Sequence, residues 1–174
     1  MKILSIGNSF SQDAHNKLHK LAKLHLLDIE TVNLYIGGCS LETHWKNADE
    51  NNAYYDLEIN GNEGTRTVGI DEALNMQEWD VITIQQVSAL SGIYETYEPY
   101  LSSLVSVIKT AQPRAKIYLH QTWAYESDSD HPDFYRYDNN QAKMYECVKS
   151  GNRDDMREMM RCSTVRRGFF DKKK

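Results

Sequence analysis

The sequence is poor in the residues and runs that mark several classes of protein. Its 174 residues include three cysteines, Cys39, Cys147 and Cys162, and no Cys-x-x-Cys pair. An odd count without paired spacing argues against a disulfide framework and a zinc site, so we expect reduced thiols and no metal. No cofactor is expected either. No apolar run approaches the roughly 20 residues that a membrane span needs. The chain is therefore expected neither to cross a membrane nor to bind a metal.

The sequence also predicts neither a leader segment nor a basic surface. The first ten residues, MKILSIGNSF, carry one lysine and too short an apolar stretch for a secretory signal. The chain as written is therefore expected to be cytoplasmic, or secreted or periplasmic if a signal peptide was removed from it. The net charge of −5 argues against nucleic acid as the main partner.

Charge divides the chain into two parts. Residues 1–148 hold 11 Lys and Arg against 21 Asp and Glu, a net charge of −10, whereas residues 149–174 hold 9 against 4, a net charge of +5. The length suits a single domain with a real core. We therefore predict one α/β domain over residues 1–148, followed by an atypical basic segment over residues 149–174.

Apolar runs typical of strands alternate with segments of helical periodicity. The runs are KILSIG, IETVNLYI, WDVITIQQV and AKIYLHQTW, and the helical segments include residues 13–27, residues 97–111 and a last one from about residue 139. Residues 54–68 predict a small hairpin. The alternation predicts a three-layer α/β/α fold with a mainly parallel sheet. In such folds, ligands bind beyond the carboxyl ends of the strands.

The first strand ends at a corner that carries Ser9. A serine where a strand turns into a helix holds its hydroxyl above the free N–H groups and positive dipole end of the helix. That setting favours a nucleophile and the oxyanion it generates, although a serine there also serves as a simple helix cap. A nucleotide-binding loop is a third interpretation, but GNSFS lacks the spacing and the lysine of a P-loop.

The next strand ends offer hydrogen-bond donors. Gly38 allows the backbone to approach a ligand with its N–H free, or forms an ordinary turn. Gln85 and Gln86 end an otherwise apolar strand, and alternation sends their side chains to opposite faces. One of the two amides is therefore a candidate oxyanion donor, with a structural amide as the alternative. Asn8 and Ser40, at the same edge, are candidate substrate-binding residues.

Aromatic residues and a histidine follow the fourth strand. In LHQTWAY, Trp123 and Tyr125 are candidates for a wall that stacks on a sugar or another substrate. His120 in the same run, His131 in the following loop and His44 after the second strand are candidate bases. A buried, hydrogen-bonded histidine or a solvated one is the structural alternative at each position.

Together these pieces resemble the SGNH (GDSL-type) hydrolase superfamily, and within it a bacterial subfamily of unassigned function with blocks like IGNSFS, YIGGCSLETHW, QQVS and LHQTWAY. The resemblance implies a flavodoxin-like SGNH fold with Ser9 as the nucleophile and Gly38 in the oxyanion hole. Asn8 stands where the superfamily has the aspartate of its Gly-Asp-Ser block. The segment QQVSALSG occupies the third block but has no asparagine, so the third donor role falls to Gln85 or Gln86.

The resemblance covers residues 2–147 and stops before the final Asp-x-x-His block, whose histidine is the base and whose aspartate orients it. Near the C-terminus no such block occurs. The resemblance implies an ester hydrolase, with acetyl groups on carbohydrate as one candidate substrate, that is inactive if no other histidine serves as base. The alternative is a non-catalytic carbohydrate-binding or interaction module. A C-terminally incomplete sheet would also expose an apolar edge and favour self-association.

Overall fold

A computed structural model of the chain describes residues 1–64 and 66–151, so nearly all of the basic segment predicted at residues 149–174 lies outside the described residues. Strands and helices alternate, as the sequence predicts. The strands are β1 (Lys2–Gly7), β2 (Glu30–Tyr35), β3 (Tyr55–Ile59), β4 (Thr67–Val68), β5 (Val81–Ile84) and β6 (Lys116–Leu119). The helices are α1 (Ser9–Leu24), α2 (Leu41–Asp49), α3 (Ile70–Asn75) and α4 (Tyr100–Ala111), and residues 141–151 are also helical.

The six strands form one sheet in the order β4-β3-β2-β1-β5-β6. Strands β2, β1, β5 and β6 run parallel, and the predicted hairpin adds β3 and β4 to one edge in antiparallel orientation. This arrangement confirms the predicted α/β fold with a mainly parallel sheet. Because the chain places β2 on one side of β1 and β5 on the other, the carboxyl end of β1 is a topological switch point, where ligands bind in such sheets.

The helices cover the two faces of the sheet differently. On one face, side chains such as Leu4, Ile6 and Ile84 pack with α2, α3 and α4 into the main apolar core. On the other face lies α1, whose His15 reaches Ser5 of β1. Each fully buried aliphatic side chain contributes about 1.5–3 kcal/mol, so the first face supplies most of the hydrophobic stabilisation.

A second, smaller core holds the segment that follows β6. Its buried members are Phe134, Tyr137, Met144 and Val148. The Tyr137 hydroxyl accepts a hydrogen bond from the backbone N–H of Gly92 at 3.0 Å and donates one to the carbonyl of Ala89 at 3.1 Å. These contacts fix the loop after β6 and the helix at residues 141–151 against the segment after β5.

Helix α1 begins four residues earlier than its periodicity predicts, because Asn8 caps it. The Asn8 side-chain oxygen accepts a hydrogen bond from the N–H of Phe10 at 3.2 Å, which satisfies one of the free donors of the first turn. The strands β5 and β6 are shorter than the apolar runs that predicted them. Gln85 and His120 therefore lie just beyond the strand ends.

Two structural findings bear on the site. Within residues 1–64 and 66–151, no helix has the length and apolar character needed to cross a bilayer. In the same part of the chain, no three His, Cys, Asp or Glu side chains converge as a metal site would require.

Candidate active site

Ser9 occupies the first position of α1, directly after the corner that follows β1. Its side chain is exposed, whereas its neighbours Gly7, Asn8 and Ser11 are buried. The first turn of a helix presents free N–H groups and the positive end of the helix dipole. The Ser9 hydroxyl is therefore open to a ligand and lies in a setting that favours developing negative charge.

Asn8, which follows β1, is hydrogen-bonded to residues that follow β2 and β5, next to Ser9. Its side chain is 1% exposed, and its Nδ2 donates to the carbonyl of Cys39, after β2, at 3.1 Å. Its Oδ1 accepts from Phe10 and also from the amide of Gln85, after β5. Because this buried side chain bonds to residues after two neighbouring strands, the geometry supports a positioning role for Asn8, and the substrate contact that the sequence suggested stays a prediction.

Gly38 lies in a tight turn beside this network. The N–H of Cys39 donates to the carbonyl of Ile36 at 3.3 Å, and Gly38 has a φ of +63°, a conformation typical of glycine at the third position of a type II turn. A Cβ built on Gly38 meets no atom within 4 Å, so the space above the turn is open. Ser40 caps α2 by accepting a hydrogen bond from the N–H of Thr43 at 3.2 Å.

The two glutamines point to different partners, as strand alternation predicts. The Gln86 amide donates to the carbonyl and the hydroxyl of Thr96, each at 3.2 Å, and its oxygen accepts from the N–H of Leu41 at 3.0 Å. Both of its N–H groups are thus used, which makes Gln86 a structural amide. Gln85 is 1% exposed and donates one N–H to Asn8, which leaves its second N–H without a partner among the described contacts.

His44 lies in the core rather than at the edge of the sheet. It is fully buried, and its Nδ1 lies 2.8 Å from the Tyr55 hydroxyl and 3.4 Å from the Cys39 thiol. Burial lowers the pKa of His44 to about 3 and raises that of the Cys39 thiol to about 12. These contacts favour a structural, uncharged imidazole at position 44 over the base role suggested by the sequence.

His131 belongs to the loop after β6. Its Nδ1 accepts a hydrogen bond from the N–H of Asp133 at 3.1 Å, and its ring stacks on Tyr125 with the centroids 4.4 Å apart. The Tyr125 hydroxyl lies 2.9 Å from the Ser88 hydroxyl. Asp128 precedes His131 by three residues, the spacing of an Asp-x-x-His block, but the imidazole contacts Asp133 and Tyr125 instead.

The end of β6 lies beside the first turns of α1, as the contacts of His120 and Trp123 show. His120 is half-buried, which lowers its pKa, and it is close enough to His15 to lower the pKa of that residue as well. The Trp123 ring packs edge-on against Phe10 with the centroids 4.3 Å apart. Within the described part of the chain, no histidine is hydrogen-bonded to the Ser9 hydroxyl.

The structure also contains a buried polar cluster that the sequence analysis missed. The Ser5 hydroxyl lies 2.7 Å from His15 Nε2 and 2.7 Å from the Thr83 hydroxyl, between α1 and the sheet. His15 is 4% exposed, and burial together with the charge of His120 lowers its pKa to about 4. The available signal was the polar residue in the middle of each of two apolar strands, Ser5 in β1 and Thr83 in β5.

Replacing Asn8 by alanine should destabilise the chain by about 3 kcal/mol, as the sum of a lost helix cap and unpaired groups at Cys39 and Gln85. Asn8→Asp should cost less, because its carboxylate still accepts from Phe10 and Gln85 at a helix N-terminus. Urea unfolding of the wild type and both variants measures the difference. An Asn8→Ala chain within about 0.5 kcal/mol of the wild type would contradict the role given to this residue.

The chain is similar to a described protein family and to several solved structures. A family model described as "Domain of unknown function (DUF4886)" matches residues 2–160. The crystal structure of a DUF4886 family protein from Bacteroides uniformis is 38% identical in sequence, with a TM-score of 0.87, and the match covers 91% of this chain and 64% of that protein. The chain thus spans less than two thirds of the length of that relative. No curated protein matches the sequence.

Two other solved structures share the fold at lower identity. A candidate SGNH hydrolase from Slackia heliotrinireducens is 22% identical, with a TM-score of 0.53, and the match covers 89% of this chain and 75% of that one. The acetyl xylan esterase AlAXEase is 10% identical, with a TM-score of 0.55, and the match covers 91% of this chain and 74% of that one. At these identities the likeness concerns the fold, which is the one found in SGNH hydrolases.

Proposed function

This chain belongs to the DUF4886 family, and from that premise and the geometry around Ser9 we propose that it is a serine hydrolase of the SGNH type that cleaves esters. The observation that carries the proposal is the exposed Ser9 hydroxyl at the N-terminus of α1, at the switch point of the sheet and beside the Gly38 turn. Asn8 ties these parts together through Cys39 and Gln85.

The reaction would proceed in two steps. The Ser9 oxygen attacks the acyl carbon, the alcohol leaves with a proton, and water then hydrolyses the acyl-serine. The oxyanion formed in each step accepts hydrogen bonds from the backbone N–H groups of Ser9 and Gly38 and from the second N–H of Gln85. His120 is our candidate base, because its strand end lies beside the first turn of α1 and burial lowers its pKa, which disfavours the charged imidazolium.

The substrate we favour is an acyl ester of a carbohydrate, with acetyl as the acyl group. Trp123 is 56% exposed and packs against Phe10, the residue after the nucleophile, so an aromatic ring stands next to the reaction centre. One of the fold relatives is an acetyl xylan esterase, which supports the same class of substrate.

A non-catalytic carbohydrate-binding module is the second candidate function. The observation in its favour is that no histidine within residues 1–64 and 66–151 is hydrogen-bonded to Ser9. A serine without a base is a weak nucleophile. This candidate predicts glycan binding without turnover, and binding that survives the change of Ser9 to alanine.

Hydrolysis of p-nitrophenyl acetate separates the two candidates. We expect Ser9→Ala to lower kcat/KM by about 10³-fold, because the acyl-serine can no longer form. Ser103→Ala, which removes a hydroxyl from α4 on the opposite face of the sheet, is the matched control and should leave the rate unchanged. Equal rates for the wild type and the Ser9 variant would exclude the hydrolase in favour of the second candidate.

A further inference from the structure

A cleft of about 1010 Å³ opens between the loop that follows β6 and the helix at residues 141–151. Its walls carry three aromatic and three acidic residues, which are Trp123, Tyr125, Tyr145, Glu126, Asp128 and Asp130. A cavity of this size is large enough for an oligomeric ligand.

Two aromatic rings are presented to solvent at this cleft. Trp123 is 56% exposed and Tyr145 is 48% exposed. Large aromatic side chains usually bury their faces, and each combines an apolar ring with a polar N–H or O–H group. A sugar ring, which has an apolar C–H face and a rim of hydroxyl groups, matches such a surface in both respects.

The cleft carries negative charge without compensation from its own walls. Glu126, Asp128 and Asp130 line it, and no lysine or arginine is found among its described lining residues. The neighbouring cation Lys149 lies over the Tyr145 ring at 5.7 Å and pairs with Glu146 at 3.7 Å. Carboxylates accept hydrogen bonds from hydroxyl and ammonium groups, and they repel other carboxylates.

One wall of the cleft borders the first turn of α1, and the cleft rests on fixed elements. Trp123 contacts Phe10, one residue after Ser9. Tyr125 is held by the Ser88 hydroxyl and packs edge-on against the buried ring of Phe134, with the centroids 5.6 Å apart. The wall that carries Trp123 is therefore the part of the cleft next to the turn that holds Ser9.

We propose that this cleft binds a glycan whose sugars are neutral or carry amino groups, and that it excludes glycans bearing carboxylates. The inference deepens the proposed function and rests on it for the link to ester cleavage. Binding itself depends only on the aromatic and acidic walls.

Titration calorimetry on the Ser9→Ala protein tests binding apart from hydrolysis. The probes are cellotetraose (neutral), a chitosan tetramer (amino) and tetragalacturonate (anionic). We expect the neutral and amino glycans to bind at least about tenfold more tightly than the anionic one. Trp123→Ala should weaken the binding of the neutral and the amino glycan by about tenfold or more. Tyr118→Ala removes an exposed aromatic side chain outside the cleft and should leave the binding of both glycans unchanged.

The acidic walls are tested by Asp128→Asn combined with Asp130→Asn. This variant should reduce the preference for the amino over the anionic glycan by about fivefold or more. It should leave the affinity for the neutral glycan unchanged. Equal or tighter binding of tetragalacturonate, or unchanged binding in Trp123→Ala, would overturn the inference. So would the absence of binding by all three glycans, or tighter binding of an oligolysine peptide than of any glycan.

The two proposals fail in different ways. Glycan binding without any effect of Ser9→Ala on ester hydrolysis contradicts the proposed function and leaves the cleft assignment standing. Hydrolysis that depends on Ser9, without glycan binding, contradicts the cleft assignment and leaves the hydrolase standing.

Discussion

Replacing Gly7 by alanine is expected to destabilise the chain by about 3 kcal/mol and to abolish ester hydrolysis at Ser9. A Cβ at this position would lie 2.1 Å from the Ser11 hydroxyl oxygen, 2.9 Å from Ser11 Cβ and 3.1 Å from Gln85 Cδ. Contacts this short force the first turn of α1 away from the sheet, since the interior is close-packed. The same turn carries the nucleophile, so stability and activity should fall together.

Urea unfolding and a p-nitrophenyl acetate assay measure the two effects of Gly7→Ala. Adding Ser11→Gly removes both Ser11 atoms that the new Cβ would meet. The double variant should therefore recover at least about 1 kcal/mol relative to the sum of the single changes. A Gly7→Ala chain as stable as the wild type would show that β1 and α1 are not packed as described.

Acidification should destabilise the folded chain through His15 and His44. Burial lowers their pKa values to about 4 and about 3, while both residues titrate near 6.5 in the unfolded chain. Between pH 6.5 and the lower values, the unfolded state therefore binds protons that the folded state does not. Stability is fully present above pH 6.5 and is lost as the pH falls, by up to about 1.4 kcal/mol per pH unit for each histidine.

The contribution of His15 can be measured by comparing free energies of unfolding at pH 6.5 and pH 5. The His15→Gln chain should lose about 1.6 kcal/mol less than the wild type over this interval, because glutamine does not titrate. His25→Gln, which changes an exposed histidine after α1, is the control and should follow the wild-type profile. Parallel profiles for His15→Gln and the wild type would contradict the buried, uncharged state of His15.

The fold could be predicted because its signals are local. Apolar runs of four to six residues alternating with helical periodicity indicate a parallel sheet with helices packed on it, and the Asn60-Gly61 pair indicates the hairpin. Strand boundaries were less accurate, since Gln85 and Gln86 extend an apolar run without pairing in the sheet. The corner at Ser9 is also a local feature, because it joins two elements that are adjacent in sequence.

The hydrogen-bond partners of the site residues could not be predicted, because they depend on contacts between residues far apart in the chain. Alternation sends Gln85 and Gln86 in opposite directions but does not say which one meets Asn8, 77 positions from Gln85. His44 follows a strand closely, as a base in this class of fold would, yet it turns into the core to meet Tyr55. The pairing of His15 with Ser5 required the packing of α1 on the sheet to be known.

The claim that Ser9 is an activated nucleophile at the switch point of the sheet is tested most directly by covalent labelling. The chain is treated with a fluorophosphonate probe, and the modified residue is identified by peptide mass spectrometry. We predict one adduct on Ser9 that is absent from Ser9→Ala and retained in Ser103→Ala. An adduct on Ser11 or Ser40, or no adduct on the wild-type chain, would contradict the claim.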